Sequence, residues 1–297
     1  MATITKLFSN GMLQSSVIFD ETASSISISP TSVNATLFDE VTLGAGTAER
    51  RFSNGTYQVS GFFDEYTLVS TPNIVLTNLF ADYDAATGIS GSTFLDSSGN
   101  GRNATLFGSP TTTTVNGTTV LRLTSASSQY FGSTTGYGTS LNSAFTFDVW
   151  CQNLSASTNG NLIGEWNNGT FNSGWTDNQM GFTNSAIRCF VYNTGVTTAQ
   201  ASWNNTTWYN IVMTYNGAAG IATYVNGTAG GTQAGAKQNP GGAGTFLSMG
   251  RPPGFDYLGG VTNYFNGYIG AWKIYDRALT STEVTQNFNA LRGRYGV

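Results

Sequence analysis

Residues 208–227 read Trp208-Tyr209-Asn210-Ile211-Val212-Met213-Thr214-Tyr215-Asn216-Gly217-Ala218-Ala219-Gly220-Ile221-Ala222-Thr223-Tyr224-Val225-Asn226-Gly227. The run at 210–215 is rich in β-branched and aromatic residues and stops at Asn216-Gly217. A second Asn-Gly pair follows at 226–227. Asn-Gly accommodates the positive φ angles of tight hairpin turns. Nine such pairs punctuate the chain, at Asn10, Asn54, Asn100, Asn116, Asn159, Asn168, Asn216, Asn226 and Asn266. Short β-rich runs such as 119–123 lie between them, and helical periodicity is almost absent. The pattern predicts an all-β sandwich or barrel.

Composition narrows the function classes. The 297 residues are 39% hydrophobic and 9% charged, against about 25% charged in an average domain. Low charge with many aromatics is the opposite of the disordered signature. No apolar run approaches the ~18 residues of a membrane span, so membrane insertion is not expected. A net charge of −4 leaves no basic patch for phosphates and predicts no nucleic-acid partner. The chain has no histidine, which removes Ser-His-Asp and Cys-His relays and any histidine-bearing zinc site. The start, Met1-Ala2-Thr3-Ile4-Thr5-Lys6, lacks the apolar stretch of a secretory signal. The remainder nonetheless has the Thr, Ser, Asn and Gly richness of an extracellular protein, which fits a virion component made in the cytoplasm and released by lysis.

The first ~70 residues carry an internal repeat. Residues 8–21, FSNGMLQSSVIFDE, and 52–65, FSNGTYQVSGFFDE, share nine of 14 positions. A partial copy lies between them, where residues 38–43 (FDEVTL) resemble 63–68 (FDEYTL). Two domains are expected, a β-repeat module at 1–72 and a larger domain at 73–297. The module holds seven acids and three bases, the rest nine of each, so the whole net charge sits in the module. Asp20, Glu21, Asp39, Glu40, Asp64 and Glu65 are either solvated strand ends or a surface that docks on a scaffold. Each repeat unit is too small to bury much alone, so stacking or a partner is expected.

In 145–152, alternation groups Phe145, Phe147, Val149 and Cys151 on one face and Thr146, Asp148, Trp150 and Gln152 on the other. In 187–192, Ile187, Cys189 and Val191 share a face. Cys151 and Cys189 are expected to be buried thiols. Thr280-Ser281-Thr282-Glu283 has capping-box spacing and precedes Val284, Phe288 and Leu291, which predicts one short helix at 281–292 on the sandwich rim.

From Leu95-Asp96-Ser97-Ser98-Gly99-Asn100-Gly101 to the end, the chain resembles the laminin-G-like, concanavalin-A-like lectin/glucanase domains. The resemblance rests on Phe145-Thr146-Phe147-Asp148-Val149-Trp150, on residues 208–216, on Tyr224-Val225-Asn226-Gly227 and on residues 265–280 (FNGYIGAWKIYDRALT). It covers about 80–297 and implies a jelly-roll sandwich of two antiparallel sheets, often binding carbohydrate or protein. It assigns Trp150, Trp208 and Trp272 to structural strand positions, and Arg277 with Asp276 to a fold-stabilising pair. Domains of this kind also bind calcium, and Asp96 and Asn100 are the candidate ligands, with an Asx-type turn at Asp96 as the alternative. No cofactor is required. The repeat followed by this domain also resembles virion structural proteins of tailed phages.

The glucanase branch uses a Glu-x-Asp-x-x-Glu strand, since retaining hydrolysis needs two carboxyls about 5–5.5 Å apart. Glu165 is the only Glu between residues 66 and 282 and has no acidic neighbour, so the protein is expected not to be an enzyme. A carbohydrate site needs aromatic faces with a few placed polar groups. Two loops qualify, one with Trp166, Trp175, Asp177 and Asn178, the other with Arg251, Asp256 and Tyr257. Core packing and protein contact are the alternatives for these rings. The leading expectation is a phage virion surface protein, a capsid decoration or fibre-like component. Its module would dock on capsid or tail proteins and on copies of itself, exposing the sandwich to host-surface glycans. A secreted or cell-surface lectin-like adhesion module is the alternative. A glycoside hydrolase is the third reading, opposed by the missing carboxylate pair.

Overall fold

A computed structural model describes residues 73–297 apart from 135, 138–139, 156–159, 167–175, 184–185, 238–245, 252–256 and 259–262. Four short strands are described before residue 70, by their backbone alone. The chain divides into two compact units, Met1–Ser70 and Thr71–Val297. In the first, Ile4–Leu7 pairs antiparallel with Leu13–Ser16. Glu40–Val41 pairs in parallel with Glu65–Tyr66, Glu40 opposite Glu65. Matching positions of two repeat copies are therefore neighbours. Asp20, Glu21, Asp39 and Asp64 lie outside the described residues.

The second unit is a sandwich of two sheets. The eight-stranded sheet runs Thr228–Gln233, Ile221–Val225, Tyr209–Asn216, Ala144–Asn153, Gly267–Tyr275, Thr118–Leu123, Thr111–Val115, with Leu79–Asp84 also paired to Gly267–Tyr275. The ten-stranded sheet runs Gly195–Gln200, Ile187–Val191, Thr176–Phe182, Gly160–Trp166, Phe246–Met249, Tyr130–Gly132, Ala104–Phe107, Thr93–Phe94, Ile89–Ser90. Asn263–Tyr264 joins its middle in parallel with Gly160–Trp166. Every other pairing in both sheets is antiparallel. The Asn-Gly signal works as expected where Thr111–Val115 meets Thr118–Leu123 and where Ile221–Val225 meets Thr228–Gln233. Asn116 and Gly117 have φ of 50° and 78°, and Asn226 and Gly227 have 50° and 73°, as two-residue hairpins with matching twist require.

Alternation decides both faces of the central strand Ala144–Asn153. Phe145, Phe147, Val149 and Cys151 enter the core between the sheets, where Ile187, Cys189, Val191, Met180 and Trp272 meet them. Cys151 and Cys189 are buried free thiols on opposite sheets, and burial pushes both thiols up. The other face is buried too. Trp150 joins Trp208, Val120, Ala271, Phe288 and Tyr295 in a second cluster beneath the C-terminal helix. Trp150 stacks on Tyr295 at 4.4 Å and on Phe288 at 5.7 Å.

The helix runs Ser281–Tyr295, one turn past the expected end at 292. Its capping box forms as expected, Thr280 with Glu283. The extension follows from tertiary packing. Tyr295 lies over Gly270, where any Cβ would fall 2.3–2.5 Å from the ring and hydroxyl. Arg294 grips Asp84 with two bonds of 2.5 Å. The expected Arg277–Asp276 pair is corrected. Arg277 forms a fork with Glu283 at 2.8 and 2.6 Å, while Asp276 accepts from Asn78 Nδ2. Strand alternation and the turn separate the sequence neighbours, and the cap delivers Glu283 to the guanidinium.

The bonds from Arg277 hold the Glu283 carboxyl at about 2, below its ordinary 4.5. A lowered folded value means the contribution is present above about 4.5 and is lost as pH falls towards 2. Glu283 is 26% exposed, so screening keeps the pair modest. Glu283→Gln should lower stability by about 1 kcal/mol near neutral pH, a deficit that closes between pH 4.5 and 2 in denaturant titrations.

Candidate functional site

The outer face of the ten-stranded sheet is built from side chains that alternate with the core set. Register places Phe190, Gln179, Gly164, Ser248, Gly132 and Thr105 in one row across the sheet. Asn161 and Gln179 are buried there at 0% exposure. Their amides are used rather than idle. Gln179 Nε2 donates to Asn161 Oδ1 at 3.3 Å, Asn161 Nδ2 donates to the Arg251 carbonyl, and Gln179 Oε1 accepts the Tyr257 N–H at 3.0 Å. Arg188 adds a bond from Nη1 to the Leu258 carbonyl at 2.9 Å. Buried amides need such partners, so the polar row fixes the chain at Arg251 and at 257–258 over the middle of the sheet.

Aromatic rings flank this row on both sides, all half-buried except Phe190, which is buried. On one, Tyr130 stacks on Phe107 at 4.6 Å, with Tyr264 6.1 Å away and the Arg251 guanidinium 5.8 Å from the Tyr130 ring. On the other, Tyr257 stacks on Phe190 at 4.2 Å, with Tyr192 at 6.3 Å. Arg251 and Tyr257, two of the expected ligand residues, are thus brought to one face. Phe107, Tyr130, Phe190, Tyr192, Asn161 and Gln179 belong to the same face and were not singled out from the sequence. The alternation of 187–192 does contain the signal, because Phe190 and Tyr192 fall opposite Ile187, Cys189 and Val191.

The other expected residues divide. Trp175 and Asp256 lie outside the described residues. Trp166 ends its strand opposite Phe246 and Thr176, and Asp177 lies on the next strand. Their side chains are likewise outside the described residues. Asn178, expected as a ligand contact, is corrected. It shares the inward face with Met180, is fully buried, and donates from Nδ2 to Glu165 Oε2. The single-residue alternation of the strand sends it into the sandwich.

Asp96 and Asn100 organise the loop at 95–103. Asp96 Oδ1 accepts the N–H groups of Asp82 and Ser98, and Oδ2 accepts that of Arg102. Asn100 Nδ2 donates to the Leu79 and Phe80 carbonyls. The Ser98 bond is the Asx-type turn. No group of three or more Asp, Glu, His or Cys side chains able to hold a metal occurs among the described residues.

Comparison with known proteins bears on the fold. A family model described as the concanavalin A-like lectin/glucanases superfamily matches residues 125–285. No curated protein sequence matches the chain. Among solved structures, Trypanosoma rangeli sialidase in complex with sialic acid aligns with a TM-score of 0.53 at 16% identity, over 72% of this chain and 33% of that one. The same sialidase with a difluorinated nononic acid aligns at 0.54 and 13%, over 72% and 33%. The binding domain of botulinum neurotoxin DC in complex with SialylT aligns at 0.52 and 13%, over 73% and 52%. The chain thus spans about a third of the sialidases' length and half of the toxin domain's. At these identities the likeness is one of fold.

The expectation that the protein is not an enzyme is overturned by the sialidase likeness. The same sandwich occurs inside chains that are sialidases as well as in a toxin's binding domain. A missing carboxylate pair on the sandwich strands bears on glucanase-type hydrolysis alone.

The bond from Tyr257 to Gln179 is the readily tested element of the face. Gln179→Ala should speed hydrogen exchange of the Tyr257 amide while the amides of Ala144–Asn153 stay protected. Unchanged exchange at Tyr257 would show that the loop is held by other contacts.

Proposed function

Because the chain belongs to the concanavalin A-like lectin/glucanase superfamily, we propose that it binds carbohydrate on the outer face of its ten-stranded sheet. The observation that carries this reading is the two stacked ring pairs on either side of a polar row, in which Phe107, Tyr130 and Tyr257 are half-buried and Phe190 is buried against Tyr257. Phe107 and Tyr130 with Arg251 stand on one side, Phe190 and Tyr257 on the other. Sugar rings present C–H faces to aromatics and hydroxyls to polar groups, so aromatic platforms with a few placed polar groups suit them, the buried amides of Asn161 and Gln179 serving to hold Arg251 and Tyr257 in place. The sialidase complex with sialic acid supports an acidic sugar as the first class to try, with Arg251, beside the Tyr130 ring, as a cation on the face. Titration of the full chain against sialylated and neutral oligosaccharides tests this. Tyr130→Ala should weaken the best ligand about tenfold, or ~1.4 kcal/mol, with the fold unchanged. Absence of binding to every class would remove the reading.

The virion surface is the location we propose, with capsid or tail proteins and further copies of this chain as partners. Support comes from the repeat in 1–72, its acidic pairs and the parallel pairing of Glu40–Val41 with Glu65–Tyr66. A secreted lectin-like adhesion module is the second reading, favoured by the superfamily. Light scattering of the full chain during size exclusion separates them. A defined oligomer is the outcome expected of the virion component, and a monomer favours the adhesion module.

A further inference from the structure

We propose that Lys237 and Asn178 are joined by an intramolecular amide bond, with Glu165 as the proton carrier. Glu165 lies near the end of Gly160–Trp166 and Asn178 near the start of the adjacent strand Thr176–Phe182. Lys237 follows Thr228–Gln233, the edge strand of the opposite sheet. The three side chains meet inside the sandwich. Side-chain exposure is 1% for Lys237 and 0% for Glu165, and Asn178 is fully buried. Lys237 Nζ stands 3.1 Å from both carboxylate oxygens of Glu165. One of those oxygens, Oε2, also accepts from Asn178 Nδ2.

Among the described residues, aromatic rings adjoin the group. The Lys237 ammonium is 5.9 Å from the Phe145 ring centroid, that ring stacks on Tyr215 at 5.3 Å, and the Tyr215 hydroxyl accepts the Lys237 backbone N–H at 2.6 Å. A lysine is almost never this buried unless paired, and sealing an ion pair from water carries a large desolvation cost. A purely structural asparagine at such a site would have its carbonyl satisfied. Asn178 Oδ1 instead finds no hydrogen-bond partner among the described residues. An amine, a carboxamide and a carboxylate touching both nitrogens are the components of amide formation without a cofactor.

The step balances within these groups. Glu165 takes a proton from the Lys237 ammonium, leaving a neutral amine. The amine lone pair attacks Asn178 Cγ and forms the C–N bond. The proton lost by the attacking nitrogen passes through Glu165 to Nδ2, the C–Nδ2 bond breaks, and ammonia leaves. No oxidant, reductant or metal is consumed. The product replaces a buried ion pair by a neutral amide and ties the edge of one sheet to a central region of the other.

Tryptic mapping of the purified full chain decides the matter. Trypsin cuts after Lys and Arg but not after an acylated lysine, and Arg251 is followed by Pro252. The bond therefore yields one branched species, residues 123–188 joined to 189–273, lighter than its parts by one ammonia. Separate linear peptides 123–188 and 189–237 would overturn the proposal. Mass of the intact chain is not sufficient, because succinimides at the nine Asn-Gly pairs lose the same ammonia. In Glu165→Gln the linear peptides should return. A branched peptide persisting there would overturn the role of Glu165. Should that variant not fold, Lys237→Arg removes the amine while keeping the charge, and must abolish the branched species.

Discussion

A carboxylate sealed beneath the C-terminal helix sets the constraint on which the sandwich depends. Asp148 is 2% exposed in the middle of the central strand. A buried carboxylate without partners costs several kcal/mol, so the chain must supply them. Burial pushes its carboxyl above the ordinary range, and bonds from Asn287 and Asn210 oppose that rise. Asn210 reaches it from the neighbouring strand at 2.6 Å and Asn287 from the helix at 2.9 Å. Asn287 then accepts the Val75 N–H and donates to the Tyr275 hydroxyl, which donates to the Val75 carbonyl. One charge thereby fixes the rotation of the helix and the course of residues 73–79. The Lys273–Asp82 pair at 2.5 Å extends the network to Leu79–Asp84.

Much of this was legible in the sequence because it depends on short periods. Alternation in 145–152 sorts Phe145, Phe147 and Val149 from Asp148 and Trp150. The spacing of Thr280 to Glu283 starts the helix. What was not legible depends on partners far apart in the chain. Tyr295 extends the helix because Gly270 and Trp150 receive its ring, and Arg277 passes over its neighbour Asp276 for a residue six positions on. Lys237 and Glu165 lie 72 residues apart, and no local pattern joins them. A hint was present all the same. In a chain with 9% charged residues, a glutamate amid β-rich sequence has few cations to choose from. The candidate face shows the same division. Its rings were visible as types, but only register aligns Phe190, Gln179 and Ser248 across three strands.

The two outer faces of the sandwich are closed by different means, and this separates their roles. The eight-stranded sheet is covered by a helix through aromatic stacking and the Asp148 network. On the ten-stranded sheet, the chain at Arg251 and at 257–258 is held by hydrogen bonds to the side chains of Asn161, Gln179 and Arg188. Helix packing buries large rings and resists change, whereas loops positioned by a rigid scaffold are where binding residues concentrate. The same sandwich serves within sialidases and in a toxin's binding domain. The loop-covered face is accordingly where a specific ligand contact is to be sought.

The bonds between residues 73–79 and the helix have a mechanical meaning. Asn73, Val75 and Thr77 are held by Gln286, Asn287 and Arg277, so the first and last segments of the sandwich lie side by side. Separating them would have to break these bonds, whereas the Arg294–Asp84 pair and the Tyr295–Trp150 stack would still hold the helix to the sheet. A tether attached at residue 73 would therefore meet the chain on the helix-covered side of the sandwich, away from the aromatic face.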